Sequence, residues 1–212
     1  MKPFAAVTIF LLCLLQLTSC GSHQVFLLKT QTPLNYSDKV QMKIGVYFAP
    51  EFTKYEMTVP VLGEYCKEST FPIPSLGHGF ADAVYEGTKT AVRDIAVLKS
   101  VSDTTLMDSA KVKYMIVPKI DSASGNIKYA QGTFANMIQA AFKGALSIDI
   151  KARNGKTLYH FAINRNNVSN GSGDCLDGSE VIGRAVDIVL QDIAEDIART
   201  LHDSEDVAKV LK

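Results

Sequence analysis

Two hydrophobic periods alternate along the chain, and each change of period marks the start of a new element. From Val40 to Phe48, Met42, Ile44 and Val46 alternate with Gln41, Lys43 and Gly45, the period of two that predicts a half-buried strand. Pro50 ends it, and a second extended piece is expected from Phe52 to Val59. Pro60, Gly63, Pro72 and Pro74 make Pro60 to Ser75 a loop. Between Gly77 and Leu98 the spacing changes. Phe80, Val84, Thr88, Ala91, Val92 and Ile95 recur at threes and fours, the stripe of an amphipathic helix packed on a sheet. Asp103 to Ser109 is a polar link with room for one helical turn. Val112 to Ile120 returns to the strand period, and Pro118, which cannot donate a ladder hydrogen bond, places it at an edge or a bulge.

The second half holds the clearest local signal. Asn154-Gly155 favours the type I′ turn of a tight hairpin and divides two alternating runs. A two-residue loop pairs Ala152 with Thr157, Ile150 with Tyr159, Ile148 with Phe161 and Leu146 with Ile163, all on one nearly apolar face. Lys151 with Leu158, Asp149 with His160 and Ser147 with Ala162 fall on the other face, so register and burial agree. Asn164 to Gly178, rich in Asn, Gly and Ser, reads as a loop. A long helix then starts near Asp177, which with Glu180 has the spacing of a capping box. Ile182, Val186, Val189, Ile193, Ile197 and Leu201 carry its apolar stripe, and Ser204 to Lys212 forms a short trailing helix. The order predicts an α/β (α+β) fold: a single mixed or antiparallel sheet with two main helices packed on one face.

The start of the chain has a different character. Met1-Lys2, the apolar run from Phe4 to Leu15, and Leu17-Thr18-Ser19-Cys20 followed by Gly21 fill the three parts of a secretory leader. Cys20 at the first mature position supplies a thiol for a diacylglyceryl anchor, so the pattern is that of a bacterial lipoprotein signal. A membrane-spanning helix needs about 20 apolar residues, and this run stops at Gln16. A plain secretory leader would leave Cys20 without a role, and Cys13 follows bulky Leu11 and Leu12 where the peptidase wants small side chains. A triacylated Cys20 anchors stably, since two or more acyl chains suffice. Gly21, in place of an inner-membrane-retaining aspartate, directs it to the outer membrane. The expected organisation is a leader over 1–19, a lipidated tether over 20–39 with an edge strand at Val25 to Leu28, and one periplasmic domain over 40–212, a length that suits one core.

Basic and acidic side chains number 22 each, and Lys and Arg are scattered, so the clustered basic face of a nucleic-acid binder is missing. Of four cysteines, Cys13 leaves with the leader and Cys20 takes lipid. Cys66 and Cys175 remain, and an even pair in an oxidising compartment predicts a disulfide. The alternatives are two free thiols or a metal site, and no C-x-x-C or neighbouring histidine supports a metal.

Candidate chemistry is sparse. His23, His78, His160 and His202 have no partner at metal-ligand or triad spacing. Asp149 opposite His160 is the best couple, and a cross-strand charge pair explains it better than acid/base catalysis. Leu76-Gly77-His78-Gly79-Phe80 enters a helix, whose start can bind anions, although turn geometry accounts for the glycines. The acceptor patterns at Asn35, Asn167 and Asn170 are chance matches beside a bacterial leader. Phe134, Met137, Ile138 and Phe142 form an apolar patch before the hairpin. Core under a loop is one reading; contact with the bilayer or a neighbouring subunit is the other, because large exposed apolar patches mark such sites. No catalytic residue, metal ligand or cofactor can be named.

From Tyr114 to Leu211 the chain resembles the YajG-type family of bacterial envelope lipoproteins. The residues that carry the resemblance are Tyr114 to Ile120, Ser124 to Tyr129, the hairpin Ala152-Arg153-Asn154-Gly155-Lys156 and the helix Val186 to Ala198. The apolar segment near Phe134 and the Cys66 and Cys175 pair depart from that pattern. The element order is also similar to a broader set of periplasmic lipoproteins that includes the lipopolysaccharide-assembly protein LptE and the curli secretion protein CsgG. The function expected first is that of a non-enzymatic accessory of an envelope or secretion assembly, held by Cys20 at the outer membrane and working through protein partners or self-association. An alternative is a module that binds lipid or lipopolysaccharide, for which Lys and Arg should ring an apolar groove. Likeness of fold alone fixes no activity.

Overall fold

The first period-two run is β1 (Val40–Tyr47), with Ile44 and Val46 fully buried. The computed structural model describes residues 21–100, 104–109, 111–132 and 135–211; the leader, Cys20 and Phe134 lie outside them. Pro50 opens a short helix, α1 (Pro50–Thr53), because its fixed φ suits a first helical position. The extended stretch expected from Phe52 is therefore confined to β2 (Met57–Val59). The proline-rich segment holds β3 (Val61–Leu62) and β4 (Phe71–Ile73). β2 and β4 form a small antiparallel sheet of their own.

Helix α2 spans Leu76–Ala91 and stops there. At Val92 the backbone turns extended (φ −113°, ψ 145°), and Val92–Leu98 is β5, parallel to β1 from Val40↔Val92 to Tyr47↔Leu98. The expected continuation of the helix to Leu98 is thus overturned. Val92 and Ile95, three apart, continue the helical spacing and show no period of two, yet β-branched side chains suit a strand with a waiting partner. α3 (Thr104–Ser109) follows. On the far side of the sheet, Met107 of α3 is buried with Leu98, Val112 and Met115 in a small second cluster.

Three strands of 17 residues dominate the rest: β6 (Tyr114–Ala130), β7 (Asn136–Ala152) and β8 (Thr157–Gly173). The six-stranded sheet has the order β5-β1-β6-β7-β8, with β3 also on β6. β1 covers only Tyr114 to Ile116 of β6. Pro118 falls beyond that pairing, which meets the edge reading of the proline, whereas the register shift lies further on, between Ile120 and Ser122, and not at Pro118 itself.

The hairpin keeps the expected register from Ile150↔Tyr159 to Leu146↔Ile163. Its turn differs. Gly155 takes φ 82° while Asn154 has no positive φ, whereas a type I′ turn needs positive φ at both central residues. The Gly155 amide donates to the Ala152 carbonyl (2.9 Å) and the Ala152 amide to the Lys156 carbonyl (2.8 Å), closing a three-residue loop. Lys151 faces Thr157, and one irregularity at Leu158 restores the register at Ile150. β8 runs on through the Asn-rich stretch expected as loop, pairing Asn164 to Gly173 with Ala145 to Asn136.

α4 (Gly178–Asp203) buries Val181, Ile182, Val186, Val189, Ile193, Ile197 and Leu201 against β7 and α2. α2 and α4 touch at Gly87, where a Cβ would collide with the Ala194 carbonyl oxygen. The expected capping box is absent. The Asp177 carboxylate turns back to accept the Asp174 amide (2.8 Å) and makes no cap bond. α5 (Glu205–Val210) starts on Ser204, whose hydroxyl accepts from the Val207 amide. The fold is a mixed α+β sandwich: one main sheet, with both long helices on one face.

The segment from Gly21 to Lys39 is no loose tether. Thr70 donates its amide to the Gly21 carbonyl (3.4 Å), and the amides of His23 and Val25 donate to the carbonyls of Thr70 and Pro72 (both 2.9 Å). Val25 is buried in the main core, and Leu27 packs at Gly79 beside Leu190. The Leu28 amide donates to Asp187 Oδ1 at 3.1 Å. Burial pushes the Asp187 carboxyl above the ordinary carboxylate value, and that hydrogen bond partly offsets the rise.

Candidate functional site

Beyond the reach of β1, strands β6, β7 and β8 form an arm with helices on one face and an open second face. Alternation decides what each face shows. In β7, Ile138, Ala140, Phe142, Leu146, Ile148 and Ile150 point to the helices and are buried. Ile138 and Phe142 are therefore core residues, which corrects the reading of the apolar segment as a membrane or partner contact. Only Met137 of the described members of that segment is exposed, at 64%. Phe134 lies outside the described residues.

The open face carries small and amide side chains. Asn126, Ala141, Lys143, Asn164, Asn166 and Val168 line a shallow groove of about 650 Å³. One ammonium and several amides can donate and accept hydrogen bonds there; no ring of Lys and Arg encloses an apolar floor. β8 borders the groove and has β7 as its single neighbour. From Phe161 to Gly173 this edge has no proline, and its one charged residue is Arg165. Asp196 of α4 holds that guanidinium through Nε (2.6 Å) and Nη2 (2.5 Å). Arg184 of α4 reaches the Asn170 carbonyl at 3.3 Å. The free edge thus presents backbone donors and acceptors with little of the charge that usually blunts an edge strand.

The far end of the arm is tied down covalently. Cys66 and Cys175 are bonded, with Cα atoms 5.7 Å apart. The Tyr129 hydroxyl beneath them donates to the Cys175 carbonyl (3.2 Å). Burial, reinforced by Asp174 and Asp177, pushes its pKa up to about 12. Asn136 donates to the Tyr65 hydroxyl (2.7 Å), and the Tyr65 and Tyr129 rings lie 5.7 Å apart.

The remaining candidates fall into structural roles. His160 Nδ1 lies 2.8 Å from Asp149 Oδ1 across the hairpin, with Lys151 Nζ 3.5 Å from the same carboxylate. This is a partly exposed cross-strand cluster. His202 sits between Asp203 and Asp38. In the Leu76 to Phe80 turn the Gly77 amide is taken by the Tyr55 carbonyl (2.8 Å), and Gly77 is required because a Cβ would collide with the Phe52 carbonyl oxygen. Among the described residues no three His, Cys, Asp or Glu side chains converge as a metal site, and no helix is long and apolar enough to cross a membrane. Sequence reasoning missed the β8 edge, because its Asn, Ser and Gly residues have the composition of a loop. No apolar alternation marks this stretch, so the sequence carries no signal that could have found it.

No family model matches the sequence, so the YajG-type resemblance is not supported at the level of a family. No curated protein matches either. Solved structures similar in fold include a minor lipoprotein from Acinetobacter baumannii, at 8% identity and TM-score 0.36 over 75% of this chain and 91% of that one. Another is the PelC dodecamer from Paraburkholderia phytofirmans, at 12% identity and TM-score 0.29 over 80% and 93%. A third is the protein CT253 from Chlamydia trachomatis, at 9% identity and TM-score 0.33 over 77% and 100%. At these identities and scores the likeness says nothing about activity.

Proposed function

We propose that this chain is a lipoprotein of the bacterial envelope, anchored through Cys20 to the outer membrane and facing the periplasm, where it serves as a non-enzymatic accessory of an envelope or secretion assembly. The observation that carries the reading is the Cys66–Cys175 bond. A cytosolic protein of this kind would keep both thiols reduced, and the bond agrees with the export signal that ends at Cys20. Binding is the work the geometry supports best. The open arm offers a strand edge and an amide-lined groove, and His160 and His202 are engaged in pairs with aspartates. The amide lining gives no support to the alternative of lipopolysaccharide binding, which calls for an apolar groove ringed by cations.

Cys20→Ala tests the anchor. Cells making the wild-type chain and fed an alkyne-bearing palmitate should yield labelled protein in the outer-membrane fraction. The variant should be unlabelled and released to the soluble periplasm on osmotic shock. A variant that stays with the membrane would end this reading.

A further inference from the structure

In the proposed anchor, Cys20 adjoins a residue that already belongs to the folded domain. The Gly21 carbonyl accepts the Thr70 amide, and Ser22 bridges to Thr70 as the first rung of a short parallel contact. Consecutive Cα atoms are about 3.8 Å apart, so no spacer separates a lipidated Cys20 from the domain. From there the chain lies extended across the outer side of the helices, and its side chains alternate. Val25 is buried and Leu27 packs inward, while Phe26 is 78% and Leu28 74% exposed. The Phe26 carbonyl oxygen passes 3.4 Å from the Cβ position of Gly183, and Leu28 is fixed to Asp187. Ile188, the next residue of α4, is 40% exposed.

We infer that this face is a membrane-contacting face: Phe26 and Leu28 insert into the lipid interface beside the Cys20 anchor and hold the helix layer against the bilayer, turning the open face of the sheet toward the periplasm. The inference rests on the Cys20 anchor proposed above and adds an orientation to it. Two large apolar side chains on a short segment would be costly to leave in water. The length of chain back to Cys20 decides what covers them. Phe26 lies six residues from the anchor, within about 20 Å even at full extension, and the segment is fixed on the domain by backbone bonds at Gly21, His23 and Val25 and by the Leu28 bond to Asp187. An interfacial bilayer is thus within reach, and the aromatic and aliphatic side chains match the headgroup and acyl boundary where such residues settle.

The chain contains no tryptophan, so a single replacement reports its own surroundings. The lipidated full-length protein carrying Phe26→Trp should be reconstituted in phosphatidylethanolamine and phosphatidylglycerol vesicles with brominated acyl chains, alongside Val168→Trp on the open sheet face. Unfolding curves matching the wild type confirm that both variants are folded. The expected result is a blue-shifted emission for Phe26→Trp, with quenching at least threefold stronger than for Val168→Trp. Equal, weak quenching in protein that floats with the vesicles would overturn the orientation and leave the anchor standing. A blue shift without bromine quenching would mean that a second copy covers the face, and would also overturn it. Protein that fails to float would remove the anchor reading and this inference together.

Discussion

At the last turn of α4, one histidine joins the N-terminal segment to the C-terminal end of the domain. His202 Nδ1 lies 2.6 Å from Asp203 Oδ1 and Nε2 lies 3.3 Å from Asp38 Oδ1. Its ring stacks on Tyr36 at 3.7 Å, and the Tyr36 hydroxyl donates to Asp203 Oδ2. The hydrogen bond to Asp203 raises the His202 pKa above its ordinary value, burial opposes the rise, and Asp38 adds to it. The same bond lowers Asp203. A raised histidine contributes stability that is complete below about pH 6.5, the unfolded value, and is lost as pH climbs through the folded one. A lowered carboxylate contributes above about pH 4 and is lost as pH falls through its folded value. Both contributions are therefore complete between about pH 4 and pH 6.5. The prediction is that thermal unfolding of the wild type shifts downward from pH 6 to pH 8 relative to His202→Gln. Parallel curves for the two proteins across that range would show that the contact does not couple to pH.

The two edges of the main sheet are built differently, and the difference sets the second test. β5 carries Arg93 and Asp94 in exposed positions, the charges that deter pairing. β8 has no such guard over its far half. The Asn170 carbonyl bonds to Arg184, so Asn170 turns its backbone groups outward from β7. In an antiparallel ladder, outward and inward residues alternate, which places Val168 and Asn166 on the free edge and Asn167 in the ladder. Asn166→Pro should thus leave the unfolding midpoint near that of the wild type while abolishing partner capture or self-association of the gently extracted protein, read by light scattering and mass spectrometry. Asn167→Pro should cost about 1–3 kcal/mol from a lost ladder bond. If both retain the wild-type mass and partners, β8 is not the contact. This edge was not legible in the sequence, for an identifiable reason. Period and register read correctly wherever one face is strongly apolar, as in β1, in Leu146, Ile148 and Ile150 of the hairpin, and in the stripe of α4. The far half of β8 has small helix-side residues, Ser169 and Gly171, because α4 begins directly above them: a Cβ on Gly171 would lie 2.5 Å from Val181 Cγ2. Such a strand exists through its partner and has no period of its own. β5 was hidden for the opposite reason, since Val92 and Ile95 continue the helical spacing of α2 and show no period of two, and the burial of Ile138 and Phe142 follows only once β7 is known to begin at Asn136.

Across the whole molecule, the disulfide and the N-terminal segment meet at one place. Thr70, which pairs with Gly21 and His23, lies four residues from Cys66, and the Ser69 amide donates to the Cys66 carbonyl (2.8 Å). Cys175 lies between the end of β8 and the start of α4. The bond therefore fastens the ledge that receives the N-terminal segment to the arm and to the longest helix. A sequence separation of 109 makes its removal strongly destabilising, since closing so long a loop restricts the unfolded chain by about 4–5 kcal/mol in the entropy model. Cys66→Ser with Cys175→Ser should lower the unfolding temperature by about 10 °C, at about 2–4 °C per kcal/mol for a domain of this size. The loss should be uneven in space. Amide exchange should quicken first at His23 and Val25, whose hydrogen bonds rest on Thr70 and Pro72, and later in β7, which is paired on both sides. Uniform acceleration through β7 and the N-terminal segment would mean that the bond stabilises the fold as a whole and gives that segment no special support.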